Sequence, residues 1–290
     1  VNAPIRIAAF SDCEQNPNLK LLWGDYWLKN NLTEAFQQLG ATVDDEARDG
    51  VVLHLFGCPI DNLSSNAFNI LWLHSHPDWI TPEILQRYDK IFCLSKPFIP
   101  KLNAMGAQAD WLMMPTVMKP LQVEKQYDVV FVGNVRHGHK GRRIINDLIR
   151  CGSKAFNIHI WGFGWRDLIP TAWYRGLYYE YTKLNMLYSK TKIVLNDHHD
   201  DMSREGFINP RILDAIASGS LVISDYVAAL SKHIHGEIPI YRTAKELKAL
   251  IAYYLTHESE RQALVQKLQN NMPKFTFIDT CKTILKSLEQ

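Results

Sequence analysis

The stretch at 203–225, SREGFINPRILDAIASGSLVISD, constrains the fold more than any other part of this chain. It reads as a glycine turn, a short helix opened by Pro210, a stop at Gly219 and a buried strand at 221–224. Proline suits a first helical turn, where its missing N–H has no intrahelical partner to lose. Glycine suits the stop, because it enters the left-handed conformation without steric cost. The start of such a helix presents free N–H groups and binds phosphate. Glu205 falls just before that start, and Asp214 about one turn inside it. A carboxylate on each side of an anion site can hold hydroxyls, which suits a nucleotide bearing a sugar. An ordinary αβ unit with solvated acids has the same local grammar.

Strands and helices alternate along the whole chain. Residues 5–10 read as a first strand, and 23–39 carry apolar residues at helical spacing up to Gly40. Short β-rich runs follow at 51–56, 69–73 and 90–94, with helices expected at 81–88 and 97–105. Pro115, Pro120 and the polar run 122–126 mark a linker. A second series then begins, with strands at 127–132, 156–161, 192–195 and 221–224. Its helices are expected at 142–150, 184–189, 245–255, 259–270 and 280–288. Such alternation predicts parallel sheets covered by helices on both faces. The expected division is an amino-terminal Rossmann-like acceptor domain at 1–121, a nucleotide-sugar-binding Rossmann-like domain at 122–273, and a helix at 274–290 packing back on the first domain.

Composition sets the outer limits. The 290 residues suffice for two domains, and 47% hydrophobic content supplies a sizeable core. No apolar run approaches the ~20 residues of a membrane span. The start, VNAPIRIAAF, lacks the charged and long apolar regions of a signal peptide and reads as a strand. Five scattered cysteines without a CxxC pair fit reduced thiols and a cytoplasmic setting. A net charge of +2 gives no argument for nucleic acid as a partner.

In order along the second half stand YDVVFVGN at 127–134, an Arg-bearing helix start at 141–143, WGFGW at 161–165, YSKTKIVLN at 188–196, FINPRILDAIASGSLVISD at 207–225 and YYLTHESER at 253–261. Together they resemble the CgeB-like, spore-maturation-type glycosyltransferases over roughly residues 125–285. The resemblance implies a GT-B fold, with two Rossmann-like domains facing across a cleft. It also implies a nucleotide diphosphate sugar donor, and no metal or other cofactor.

The block at 205–214 further resembles the two-acid motif of retaining GT-B transferases. By that likeness Glu205 would hold donor-sugar hydroxyls and Asp214 the ribose diol. Here the second acid is Asp, and eight residues separate the pair where the motif has seven, which turns the helical register by about 100°.

The remaining candidates come from position and chemistry. Arg211, beside Asn209 at the helix start, has the fork geometry to pair with a diphosphate. Gly133 and Asn134 end a strand, where a ligand can approach the backbone closely. The loop RHGHKGRR at 136–143 offers Lys140 and Arg142 to a departing diphosphate, or is a solvated basic loop. Gly162 sits in a glycine–tryptophan turn, while Tyr188 and Asn196 flank a strand and are candidates for the base. In the first half, HSHPD at 74–78 follows a strand, so His74 or His76 is a sugar or phosphate contact or a packed histidine. Asp12 and Asp25 lie where a general base would be needed for an inverting reaction. The cluster HHDD at 198–201 could bind a cation or is a solvated loop, the plainer reading.

These readings converge on a glycosyltransferase acting on a glycan or lipid-linked glycan acceptor in bacterial surface glycan synthesis. It would work in the cytoplasm or peripherally at the inner face of the membrane. A non-catalytic nucleotide-sugar-binding or coat-assembly module, and a GT-B-like sugar-nucleotide epimerase, share the same second half. A nicotinamide dehydrogenase fits poorly, because IAAFSDCEQ supplies no GxGxxG after the first strand.

Overall fold

The computed structural model describes residues 3–57, 63, 65–136, 141–152, 156–228, 230, 234, 237–272 and 275–289. The chain forms two compact units. Unit 1 comprises Val1–Pro115, His199–Ile208 and Lys274–Gln290, and unit 2 comprises Thr116–His198 and Asn209–Pro273.

Unit 1 is built on five parallel strands in sequential order, β1 (Ile5–Ala8), β2 (Gly50–Phe56), β3 (Ala67–Leu73), β4 (Lys90–Cys93) and β5 (Ala109–Trp111). The central strands GVVLHLF and AFNILWL are buried almost throughout, as expected for a parallel sheet covered on both faces. The helices here are α1 (Pro17–Lys20), α2 (Gly24–Gln38), α3 (Pro82–Leu85) and α4 (Ile99–Ala104). The first strand stops at Ala8, two residues before the sequence suggests. A 3-10 turn at Phe10–Cys13 follows, held by the Asp12 carboxylate, which accepts from Ala9 N at 2.9 Å.

Unit 2 has the strands β6 (Tyr127–Val132), β7 (Ile158–Trp161), β8 (Tyr174–Gly176), β9 (Thr191–Asn196) and β10 (Leu221–Ser224). Their spatial order is β10-β9-β6-β7-β8, all parallel. The chain first builds outward from β6 through β7 to β8, then returns to lay β9 against the other side of β6. The direction of winding reverses between β6 and β9. A crevice opens at the carboxyl ends of strands at such a switch point, and ligands bind there. The helices are α5 (Arg143–Arg150), α6 (Tyr181–Ser189), α8 (Pro210–Ala217), α9 (Ala244–Thr256) and α10 (Glu258–Asn271). Phe131, Ile144, Ile160, Trp165, Ile193, Ile223 and Tyr241 fill the core.

Two further helices, α7 (Asp200–Glu205) and α11 (Phe277–Ser287), belong to unit 1 although they follow much of unit 2 in sequence. Phe207, just after α7, packs edge-on against Phe98. α11 lies on α2, with Cys281 Sγ 3.7 Å from Leu32 O.

The compact units divide at Pro115/Thr116, where the sequence suggested 121/122. The expected solvated loop at 198–201 is also corrected. His198 is 2% exposed, and Asp200 and Asp201 open α7, their negative charge favoured by the helix dipole. Glu205 therefore ends a short helix that Gly206 closes in the left-handed conformation.

Candidate functional site

The crevice of unit 2 is shaped first by two glycines. Gly162 has φ 147°, and a Cβ there would stand 2.1 Å from Gly133 O. A Cβ on Gly133 would in turn stand 2.7 Å from Arg211 Nη2. Only two residues without side chains let the ends of β6 and β7 close beneath the arginine. Asn134 braces the same turn, its Oδ1 accepting from Phe163 N at 2.9 Å, and Trp165 Nε1 donates to Gly133 O at 2.7 Å.

α8 begins at this point. Asn209 caps it by accepting from Arg211 N at 3.0 Å, and Pro210 takes the first helical position. Arg211 Nε donates to Val132 O at 2.9 Å and Nη1 to Asn196 Oδ1 at 2.7 Å, which fixes the guanidinium across the ends of β6 and β9. Its carbon lies 4.8 Å from the centre of the Phe131 ring, and that of Arg142 lies 5.5 Å from the same ring. Burial moves the Arg211 pKa down, and the charge of Arg142 adds to this.

Arg142, just before α5, is itself buried. Its Nε donates to Asp197 Oδ1 at 2.7 Å and its Nη2 to Asp197 O at 3.2 Å. Arg136 Nη2 stands 3.6 Å from Asp197 Oδ2 and also donates to His198 O. One fully buried carboxylate thus anchors two guanidiniums, with a third held nearby on α8. Three guanidiniums gather in this way about the start of this helix.

His198 ties the cluster to the helix. Asn209 N donates to His198 Nε2 at 3.0 Å, so the imidazole accepts at that nitrogen and carries its proton on Nδ1. Nδ1 donates to Asp225 Oδ1 at 2.6 Å, and His198 N donates to Asp225 Oδ2 at 2.9 Å. Burial raises the Asp225 carboxyl, but its bonds from His198 outweigh that and hold it low.

Asp214 lies on α8, one turn beyond Arg211, and is 8% exposed. Burial pushes its carboxyl up to about 6, against the opposing pull of the Thr116 hydroxyl, which donates to Oδ1 at 2.6 Å, and of Arg211. Tyr188, expected to touch a base, is 1% exposed inside α6 and packs in the fold instead. Asn196 is likewise buried, occupied by Arg211 and by the Ser224 hydroxyl, to which its Nδ2 donates at 3.0 Å. Both corrections have one cause: the faces of α6 and β9 that carry these residues are turned into the protein. Lys140 lies outside the described residues.

Unit 1 carries the other candidates. Glu205 Oε2 pairs with Lys101 Nζ at 2.6 Å and Oε1 with Arg204 Nε at 2.9 Å, and Arg204 also pairs with Asp78. Burial would raise the Glu205 carboxyl, but the two cations win and hold it low. His76 has φ 51°, the one non-glycine residue with positive φ among those described. Its ring stacks on Trp79 at 4.1 Å and lies 5.1 Å from that of His199. Held strain of this kind is a feature of functional positions. His74 is pressed down to about 4 by burial and by His76, so it is neutral at pH 7. Asp12 pairs with Lys29 at 2.8 Å, whereas Asp25, accepting from Ser11 N at 2.9 Å, is moved up by burial.

Sequence reasoning brought out Gly133, Gly162, Arg142, Asn209, Arg211 and Asp214, and the structure gathers them in unit 2. It did not single out Asp197, Asp225 or Thr116. The signal available for Asp197 was an acid two residues past a predicted strand end. Among the described residues no group of three or more His, Cys, Asp or Glu side chains is arranged to hold a metal ion. No described helix is long and apolar enough to cross a membrane.

Residues 136–279 match the family described as glycosyl transferase-like. No curated protein matches the chain by sequence. Among solved structures, T4 phage β-glucosyltransferase superposes with a TM-score of 0.65 at 13% identity, over 99% of this chain and 100% of that one. An α-glucosyltransferase in complex with UDP-glucose and DNA containing an abasic site gives 0.62 at 10% identity, over 99% of each chain. Staphylococcus aureus TarM, in complex with fondaparinux, α-GlcNAc-glycerol and UDP, gives 0.61 at 11% identity, over 89% of this chain and 58% of that one. The fold is GT-B.

Proposed function

We propose that this chain transfers a sugar from a nucleoside diphosphate sugar to a hydroxyl acceptor. The observation that carries the reading is the cluster of three guanidiniums at the start of α8, set at the switch point of the unit 2 sheet. When the anomeric C–O bond breaks, the bonding pair leaves with the diphosphate, and negative charge grows there. A helix N-terminus and fixed cations stabilise that charge without reorganising. Asp214 takes the ribose hydroxyls, and the backbone at Gly133 and Gly162 gives the donor close approach. The family match over 136–279 supports this reading, as do structural neighbours solved with UDP or UDP-glucose. A uridine diphosphate sugar is the first donor to test.

Unit 1 serves the acceptor, for which we propose a glycan or lipid-linked glycan in bacterial surface glycan synthesis. If the reaction inverts the anomeric carbon, Asp25 suits the base role better than Asp12. Burial keeps the Asp25 carboxylate basic, whereas Asp12 is engaged by Lys29. His76, with its strained backbone and stacked Trp79, offers a sugar-binding face.

The test is release of nucleoside diphosphate from a panel of nucleotide sugars, with and without glycan, lipid-linked glycan or DNA acceptors. Release that rises with a glycan acceptor supports the reading. Tight donor binding with no release under any acceptor would identify a binding module instead. Release with DNA alone would move the acceptor class.

A further inference from the structure

A second cationic pocket lies at the opposite edge of the unit 2 sheet. A cavity of about 270 Å³ is lined by Lys125, Lys192 and Arg261 together with Gln262, Gln266 and Gln269. Lys125 stands two residues before β6, and Lys192 is the second residue of β9. They mark the amino ends of the strands whose carboxyl ends carry Gly133 and Asn196, about 20 Å away along strands of this length.

The pocket's charges are poorly balanced. Lys125 Nζ donates to Gly219 O at 2.7 Å, and Gln269 Nε2 donates to Ile216 O at 2.9 Å, so both hold carbonyls at the end of α8. Lys192 pairs with Asp128 at 2.7 Å. Arg261, its side chain 3% exposed, donates to Tyr254 O and lies 3.4 Å from Glu258, a carboxylate that is itself 63% exposed. Three cations thus face two rim carboxylates. Lys125 bonds a neutral carbonyl and forms no ion pair among the described residues. Burial, reinforced by the charge of Arg261, brings Lys125 down to about 8, and burial also lowers Arg261. Two desolvated cations facing each other are costly unless an anion joins them.

Size and donors select the ligand. The cavity falls below the ~300–1,000 Å³ of ordinary small-molecule pockets, so it suits a compact anion rather than a whole nucleotide sugar. Gln262 Nε2 donates to Glu258 at 2.9 Å and Gln269 Nε2 to the end of α8, so ammonium, guanidinium and the Gln266 amide form the donor set matched to phosphate oxygens. We propose that this pocket binds a phosphate-bearing anion through Lys125, Arg261 and the Gln266 amide, separately from the site at the carboxyl edge. The phosphate can belong to a free small molecule or to a lipid headgroup.

Isothermal titration of the full chain with inorganic pyrophosphate, in excess UDP to fill a nucleotide site, tests the first source. Vesicles containing phosphatidic acid test the second. Lys125→Met removes the charge and keeps an apolar stem. Gln266→Glu, on an exposed helix face, adds repulsion without disturbing the core. Each substitution should weaken the bound probe by about tenfold or more, Lys125→Met through the loss of one charged hydrogen bond and Gln266→Glu through like-charge repulsion. Binding to vesicles alone, weakened by the same substitutions, assigns the anion to lipid. No binding of either probe, or binding indifferent to both substitutions in folded protein, overturns the proposal.

Discussion

Replacing Asp214 by asparagine should make the free protein more stable while weakening its hold on nucleotide. The carboxyl is 8% exposed and titrates at about 6 instead of the ordinary 3.8. A displacement of that size corresponds to ~3 kcal/mol of destabilisation once the group is ionised in the native state. The sign follows from proton counts. Below pH 4 the carboxyl is protonated whether folded or not, and it contributes nothing. Between 4 and 6 the native state binds more protons than the unfolded chain, so stability falls as pH rises. Above 6 the full penalty is present. Asparagine keeps the acceptor for the Thr116 hydroxyl at the same place and carries no charge at any pH.

The stability difference between Asp214→Asn and the parent should therefore rise from near zero at pH 4 to ~1–3 kcal/mol at pH 7.5, part of the gain being offset by burial of the amide N–H groups. Urea unfolding across that range measures it, and hydrogen exchange at the α8 amides reports unit 2 by itself. The same substitution should lower nucleotide affinity by ~1–3 kcal/mol, because a charged acceptor for the ribose is lost. A variant no more stable than the parent at pH 7.5, or a difference that does not vary with pH, would refute the reasoning.

Arg211→Ala should weaken binding of a nucleoside diphosphate far more than that of the bare nucleoside; equal losses in calorimetry would place the arginine away from the phosphates. Arg142→Ala should also destabilise the fold by ~3–5 kcal/mol, because it strands the fully buried Asp197, and adding Asp197→Asn should recover part of the loss in denaturant unfolding. Gly162→Ala should cost about 3 kcal/mol or more, since its Cβ would meet Gly133 O at 2.1 Å in a strained φ; a melting temperature unchanged by the substitution would contradict that geometry. Turnover should survive excess chelator, because α8 and the arginines supply the positive charge at the diphosphate; T4 phage β-glucosyltransferase has been solved with UDP and Mn²⁺, so restoration of chelated activity by Mn²⁺ here is the outcome that would count against this scheme.

Local grammar carried a large share of this architecture. The span 127–132 is readable as a strand because it is apolar and central, paired on both sides. α8 announces itself through Pro210 and Gly219. β8, with the sequence YRG, is a three-residue edge strand with no apolar run to detect. α7, DDMSRE, buries only Met202 and Glu205, so no hydrophobic stripe betrays it. The same contrast holds in the site. Arg211 and Asp214 follow from helix position. Their surroundings depend on contacts between residues 55 apart for Arg142–Asp197, 27 for His198–Asp225 and 98 for Thr116–Asp214, which no local pattern encodes.

Those long-range contacts leave the free site electrostatically strained in a consistent direction. Arg211 is pushed toward its neutral form by burial and by Arg142, and Asp214 is pushed toward its neutral form by burial. A core built for stability alone would pair such groups or replace them with apolar ones. Here each is held in place by hydrogen bonds to Val132, Asn196 or Thr116 and left short of counter-charge or donors. In the proposed function, a diphosphate would supply the missing charge to the arginine, and a ribose diol the missing donors to the carboxylate. The two shifts should therefore relax together on binding. The Asp214 carboxyl should fall back toward its ordinary range when nucleoside diphosphate is bound, so that binding releases protons near pH 6. Calorimetry in buffers of different ionisation enthalpy would detect that release, and its absence would show that the strain has another origin.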